Sequence, residues 1–178
     1  MRSALLFLSL LFSSTFLISC THTYNITTGV SADLKTFYSL YPSLEVDIAA
    51  LTADEAIALR SAGIDAYFAP DSSFRASLSP YTIYFSDTST APVELSSGDK
   101  IWDVWLAKNP EKIAAVVNLP FSPDKHAPDP RIYIADMQSR FLLARKLYLL
   151  VAPKLIMPVT EKPVNPEPAG KSAPQTAP

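Results

Sequence analysis

The stretch Leu44-Glu45-Val46-Asp47-Ile48-Ala49-Ala50-Leu51-Thr52-Ala53-Asp54-Glu55 sets a strand directly against a helix. Its first eight residues alternate. Val46, Ile48 and Ala50 share one side, and Glu45, Asp47 and Ala49 share the other, as in a strand with one face on a core. The next four have the capping-box pattern. The Thr52 hydroxyl accepts from the Glu55 amide while the Glu55 carboxylate reaches back to the Thr52 amide. The spacing predicts a helix from Ala53 to about Ala62, and Gly63 suits the left-handed residue that ends one.

Downstream, Pro80 precedes Tyr81-Thr82-Ile83-Tyr84-Phe85, whose aromatic and β-branched residues predict a strand. Ile64 to Phe68 and Phe74 to Leu78 read as two shorter strands. Ser86 to Pro92 reads as a loop. A short helix opens at Gly98 or Asp99, carries Trp102 and Trp105, and is closed by Asn109-Pro110. The apolar run from Lys112 to Leu119 fits a central strand buried on both faces. Pro120 to Pro130 is a proline-rich loop. Arg131 to Ala135 alternates as a strand, and Lys146 to Ala152 reads as a late core strand that Lys154 to Val159 extends or follows. Gln138 to Arg145 fits a helical turn or a second strand, and Leu34 to Tyr41 a short helix or an edge element. Short strands with one or two inserted helices predict a mainly β domain, a β-sandwich of transthyretin or immunoglobulin type. The alternative, an α+β open sheet, needs longer connecting helices than the chain offers.

The 178 residues carry a net charge of −2 and four glycines. No basic cluster is present, which argues against a nucleic-acid partner. Phosphate-cradling loops, dinucleotide fingerprints and nucleophile elbows are missing from the sequence. The chain divides into a leader over residues 1–19, a polar tether over 20–31, a globular domain over 32–157 and a disordered proline-rich tail over 158–178. Eleven extended residues after Cys20 would let the domain stand off by about 38 Å. The tail would reach about 65 Å as an extended polyproline-like chain.

The one cysteine, Cys20, closes an apolar leader that begins Met1-Arg2-Ser3 and runs from Ala4 to Ile18. A cationic start, an apolar core and the small Ser19 make a secretory signal. The run is short for a membrane span, which takes about 20 apolar residues. A plain signal peptide with an incidental cysteine is the other alternative.

Leu17-Ile18-Ser19-Cys20 resembles the lipobox of bacterial lipoproteins. The resemblance implies cleavage before Cys20 and acylation of its thiol and new amino end by fatty chains such as palmitate. No membrane helix would then remain in the mature chain, and no thiol for a disulfide, a nucleophile or a metal. Thr21 in place of an aspartate implies, by resemblance to proteobacterial lipoproteins, sorting to the outer membrane with the domain facing the periplasm.

A lipobox, a tether and a small β domain together resemble the outer-membrane lipoprotein of type VI secretion systems. That likeness covers the leader and Leu44 to Val159, with Leu44–Leu51 standing for an early strand and Ile113–Leu119 for a central one. It implies a transthyretin-like sandwich that holds the periplasmic end of a larger membrane-core protein. The tryptophan helix and the tail depart from that pattern, and no binding residue carries over.

No catalytic, cofactor or metal residue is assigned. Asp124, His126, Asp129 and Arg131 share the proline-rich loop, but one histidine falls short of the usual three-ligand zinc site. His22 lies in the tether. Trp102 and Trp105, spaced i and i+3, share a helix face and serve either as core or as a partner-binding platform. Tyr81 and Tyr84 point to opposite faces, so Tyr84 is the third candidate contact. Three functions follow. The leading one is a non-enzymatic, lipid-anchored docking component with an envelope protein partner. The second is a tethered glycan or peptidoglycan binder using Trp102, Trp105 or Tyr84. The third is a hydrolase built on a facing carboxylate pair, about 5–9 Å apart.

Overall fold

The computed structural model describes residues 23–121, 123, 128–138 and 145–166. Two four-stranded sheets face each other. The first has the order β4-β1-β7-β8 and the second β3-β2-β5-β6. In chain order these are β1 (Asn25–Val30), β2 (Leu44–Leu51), β3 (Tyr81–Phe85), β4 (Val93–Leu95), β5 (Lys112–Val117), β6 (Ile132–Asp136), β7 (Lys146–Ala152) and β8 (Leu155–Val159). All pairs are antiparallel except β1 with β7. The expected sandwich with inserted helices is what forms. The helices are α1 (Asp33–Tyr38), α2 (Ala53–Tyr67), α3 (Ser73–Leu78) and α4 (Ile101–Leu106).

The alternation of β2 decides the layering. Val46, Ile48 and Ala50 enter the core between the sheets, with Ile113, Ala115 and Val117 of β5 beside them. The opposite face is also buried. Ala49 and Leu51, with Ala114, Val116 and Ile132, pack under Ala56, Leu59, Ile64 and Tyr67 of α2 and Leu78 of α3. The molecule is therefore three layers deep on this side: sheet, sheet, helices. The β5 run is buried on both faces, as its unbroken apolar character predicts.

The capping box of α2 is present in full. Glu55 N donates to Thr52 Oγ1 at 3.2 Å and Thr52 N donates to Glu55 Oε2 at 2.8 Å. Gly63, at φ 74° and ψ 170°, kinks the helix, which resumes through Tyr67. Ile64 to Phe68 is thus the end of α2 rather than a strand. Phe74 to Leu78 is likewise helical, with the Ser72 hydroxyl accepting from Arg75 N at 3.3 Å. Both runs are short and apolar, and periodicity alone does not tell a buried strand from a buried helix turn at that length.

Two boundaries differ from expectation. Asn25–Val30, read as part of the tether, is an inner strand of the first sheet, and Thr27 and Thr28 are buried in it. Threonine is polar in composition but β-branched, and it suits a strand whose backbone is paired on both sides. The domain therefore starts by Tyr24, whose ring is buried. At the other end, β8 runs through Pro158 to Val159, so the domain does not stop at residue 157. Beyond it the chain crosses the outer face of the first sheet. Lys162 Nζ meets Glu94 Oε2 at 2.7 Å, and Asn165 Oδ1 accepts from Thr90 Oγ1 at 2.9 Å. The first part of the proline-rich segment is thus folded onto the domain. Residues 167–178, the leader with Cys20 and His22, Asp124, His126, and residues 139–144 lie outside the described residues.

Candidate functional site

Trp102 and Trp105 are not a surface platform. They are 1% and 0% exposed and meet edge to face, with ring centroids 5.0 Å apart at 86°. Their indole N–H groups donate to Ser96 O at 3.0 Å and to Ser79 O at 2.9 Å. The i, i+3 pair faces inward because α4 closes one end of the sandwich, and each buried N–H finds a backbone carbonyl, as burial of a polar tip requires. The version of glycan binding that rests on these indoles is excluded.

Tyr84 differs. It is 67% exposed on β3, while Tyr81, on the opposite face, packs against the core between the sheets. Tyr84 belongs to a polar cluster on the helix-covered side of the second sheet. The register sets Glu45 opposite Tyr84 and Asp47 opposite Thr82. All four side chains rise from one face, because strand neighbours two apart share a face and cross-strand partners stand side by side.

Arg75 of α3 lies over this face and joins both acids. Its Nε donates to Asp47 Oδ2 at 2.7 Å and its Nη2 to Asp47 Oδ1 at 3.1 Å, and Nη2 also donates to Glu45. Thr82 Oγ1 donates to Asp47 Oδ1 at 2.7 Å and Tyr67 OH to Asp47 Oδ2 at 2.9 Å. Tyr84 OH donates to Glu45 Oε1 at 3.3 Å. The guanidinium sits 4.9 Å from the centre of the Phe68 ring and 5.9 Å from that of Tyr67, on their faces.

Asp47 is 1% exposed, yet each of its oxygens accepts two bonds. That is the condition under which a buried carboxylate is tolerated. Burial, then the charge of Asp47 and the bond to it, push the Tyr67 hydroxyl well above its ordinary range. The bond to Asp47 raises Arg75, which stays cationic. The cluster fastens α2 and α3 to the sheet and presents a rigid rim of Tyr84, Glu45 and Phe68. Glu45 and Asp47 converge on one cation and so do not form a facing acid–base pair.

Glu55 and Asp129 are also engaged. Glu55 caps α2 and pairs with Lys108 Nζ at 2.8 Å. Asp129 pairs with Arg131, whose Nη2 lies 2.7 Å from Oδ2. Among the described residues, no group of three or more His, Cys, Asp or Glu is placed to hold a metal.

A second feature escaped sequence reading. Phe37 and Leu40 are each 53% exposed at and just after α1. Lys154, in the turn between β7 and β8, sits 5.4 Å from the Phe37 ring centre and 5.7 Å from that of Phe121. Tyr38 OH ties α1 to this turn through Pro153 O at 2.7 Å. Strand β1 leads directly into α1, and β7 runs parallel to it into the same turn. The apolar patch therefore lies at the end of the domain opposite the start of β1. An open cleft of about 400 Å³ between α2 and β6 is lined by Ala53, Ile57, Arg60, Lys112, Ile134 and Asp136, and the Lys112–Asp136 ion pair lies along its rim.

No family model and no curated protein matches the chain. Solved structures do. The T6SS protein TssM C-terminal domain from EAEC matches with a TM-score of 0.53 at 10% identity, over 77% of this chain and 100% of that one. A Type VI membrane complex matches with a TM-score of 0.55 at 10% identity, over 78% and 98%. Serratia marcescens Lip, a membrane bound component of the Type VI Secretion System, matches with a TM-score of 0.50 at 7% identity, over 79% and 98%. The chain shares the fold of these type VI secretion components across nearly the whole of their chains.

Proposed function

We propose that this chain is a lipid-anchored envelope component of a type VI secretion assembly, which docks the periplasmic part of a membrane-core protein. The observation that carries the reading is the conjunction of a lipobox at Cys20 with a domain of the same fold as Lip and a Type VI membrane complex. Acylated Cys20 holds the domain at the outer membrane, since two or more acyl chains are needed for stable anchoring. Only three residues separate Cys20 from the buried Tyr24, and the four steps between them allow a reach of at most about 14 Å. The domain then rests close to the bilayer rather than on a long tether.

Strand β1 runs away from that anchor, so the Phe37–Leu40 patch faces the periplasm. The loop after α1 meets the loop after β3 through Tyr41 N and Asp87 Oδ1, 3.5 Å apart, and Tyr84 lies next to that junction. Exposed aromatics on a rigid, ion-paired base are the residue types that dominate binding energy at protein interfaces. Photo-crosslinkers placed at positions 37, 40 and 84 in membranes of the native host test the reading. Crosslinks from 37 or 40 to a type VI membrane-core protein, lost on Cys20→Ala, support it. Crosslinking to no such protein, or a Cys20→Ala variant that stays with salt-washed membranes, would overturn it.

A further inference from the structure

The segment after β8 crosses the first sheet from one edge to the other. It leaves β8 opposite Tyr148 of β7, passes over Gly29 of β1, and reaches Glu94 of β4 and Thr90 in the loop before it. At Gly29 the fit is close. A Cβ there would stand 2.5 Å from Pro163 Cβ and 3.4 Å from Pro163 Cγ, with Pro92 Cγ at 3.6 Å. Gly29 lies within a regular strand, and its lack of a side chain answers a close approach by another part of the chain, one of the recurring uses of strand glycines. The proline ring is tied to its own backbone and cannot swing aside as a long side chain would.

The strand beneath needs the help. β4 has three residues and is held by three register pairs to β1: Ile26–Leu95, Thr27–Glu94 and Thr28–Val93. Glu94 is gripped from two sides, by Lys162 Nζ at 2.7 Å and by the Thr27 hydroxyl at 3.4 Å. Asn165 holds the preceding loop at Thr90. Three anchors within four residues, at 162, 163 and 165, thus fall on β4, β1 and the β3–β4 loop.

We propose that Lys162–Asn165 is a clasp, seated on Gly29, that locks β4 against β1. The clasp and the docking reading stand apart: the first concerns how β4 is held, the second what the far end binds.

The test is a mutant cycle in the full chain, read by hydrogen exchange of the Val93–Leu95 amides and by glutamyl-endopeptidase cleavage after Glu161. Gly29→Ala is expected to speed both at least tenfold. In a Pro163→Gly background, where the opposing ring atoms are gone, Gly29→Ala is expected to change either rate by less than twofold. Lys162→Glu, read by hydrogen exchange alone because it alters the glutamyl cleavage site, is expected to speed exchange, and adding Glu94→Lys to restore at least half of the lost protection. Equal effects of Gly29→Ala in the two backgrounds, or wild-type rates in Gly29→Ala, would overturn the proposal. If Gly29→Ala fails to fold, the charge-swap pair decides it, and no recovery in the double variant refutes the clasp.

Discussion

The strongest consequence of the three-layer arrangement is energetic coupling between Asp47 and Arg75. Replacing Asp47 with alanine leaves the Tyr67 hydroxyl, on a residue 1% exposed, without its partner, and an unsatisfied buried polar group costs about 1–3 kcal/mol. Arg75 also loses its bonds to Asp47 but keeps Glu45. We expect a total near 3 kcal/mol. Replacing Arg75 with alanine leaves a buried carboxylate with only Thr82 and Tyr67. Breaking a buried ion pair from one side costs about 3–5 kcal/mol, and the low end applies because the Arg75 side chain is 23% exposed. Removing both residues takes away the uncompensated charge as well as the pair, so the double variant should lose about 4 kcal/mol, not the sum of the singles. The coupling is then about 2 kcal/mol, as expected for residues in one network. Urea denaturation of the wild type, both single variants and the double variant measures it. Unchanged urea slopes with shifted midpoints would attribute the loss to stability alone. Single losses below about 1 kcal/mol, or additive losses, would refute the claim that this cluster fastens α2 and α3 to the sheet.

Two further outcomes follow from buried groups. Trp105→Ala removes a fully buried indole, which costs about 3–5 kcal/mol, and it orphans the Ser79 carbonyl. Thermal melting should show the loss, and an unchanged midpoint would revive the surface-platform reading. For Asp129, burial pushes the carboxyl up, but the bonds from the Arg131 side chain and backbone and its charge hold it below the ordinary range. A depressed carboxylate contributes stability above its unfolded value of about 3.9, and that contribution fades as pH falls through the folded value. The melting-point gap between wild type and Asp129→Asn should therefore be full at pH 7 and close below the ordinary carboxylate range. A gap that widens on acidification would contradict the pairing.

Much of the second sheet was legible in the residues. The alternation from Leu44 to Leu51, the Thr52/Glu55 box, the apolar β5 run and the strand after Pro80 each carry a local signal strong enough to outweigh alternatives. Asn25–Val30 carried none, because its threonines read as polar until neighbouring strands cover them. Asp47 was placed on the outer face of β2, and it does lie opposite the sandwich core. Nothing in the alternation says that helices then cover that face, and Arg75, its partner, comes from a segment whose six residues fit a strand or a helix equally. The tryptophans were ambiguous for the same reason: spacing names a shared face, not what the face meets.

The likeness of Leu17–Cys20 to a lipobox belongs wholly to the sequence, since it is a local pattern of four residues that needs no fold to be recognised. The same holds for the helix cap at Thr52 and for strand periodicity, where interactions reach across only a few residues. Burial of Trp102 and Trp105, the ion cluster around Asp47, and the seating of Pro163 on Gly29 were decided only by tertiary structure. Each joins residues tens of positions apart, and the energy that fixes them comes from desolvation and close packing, which exist only once the layers have met.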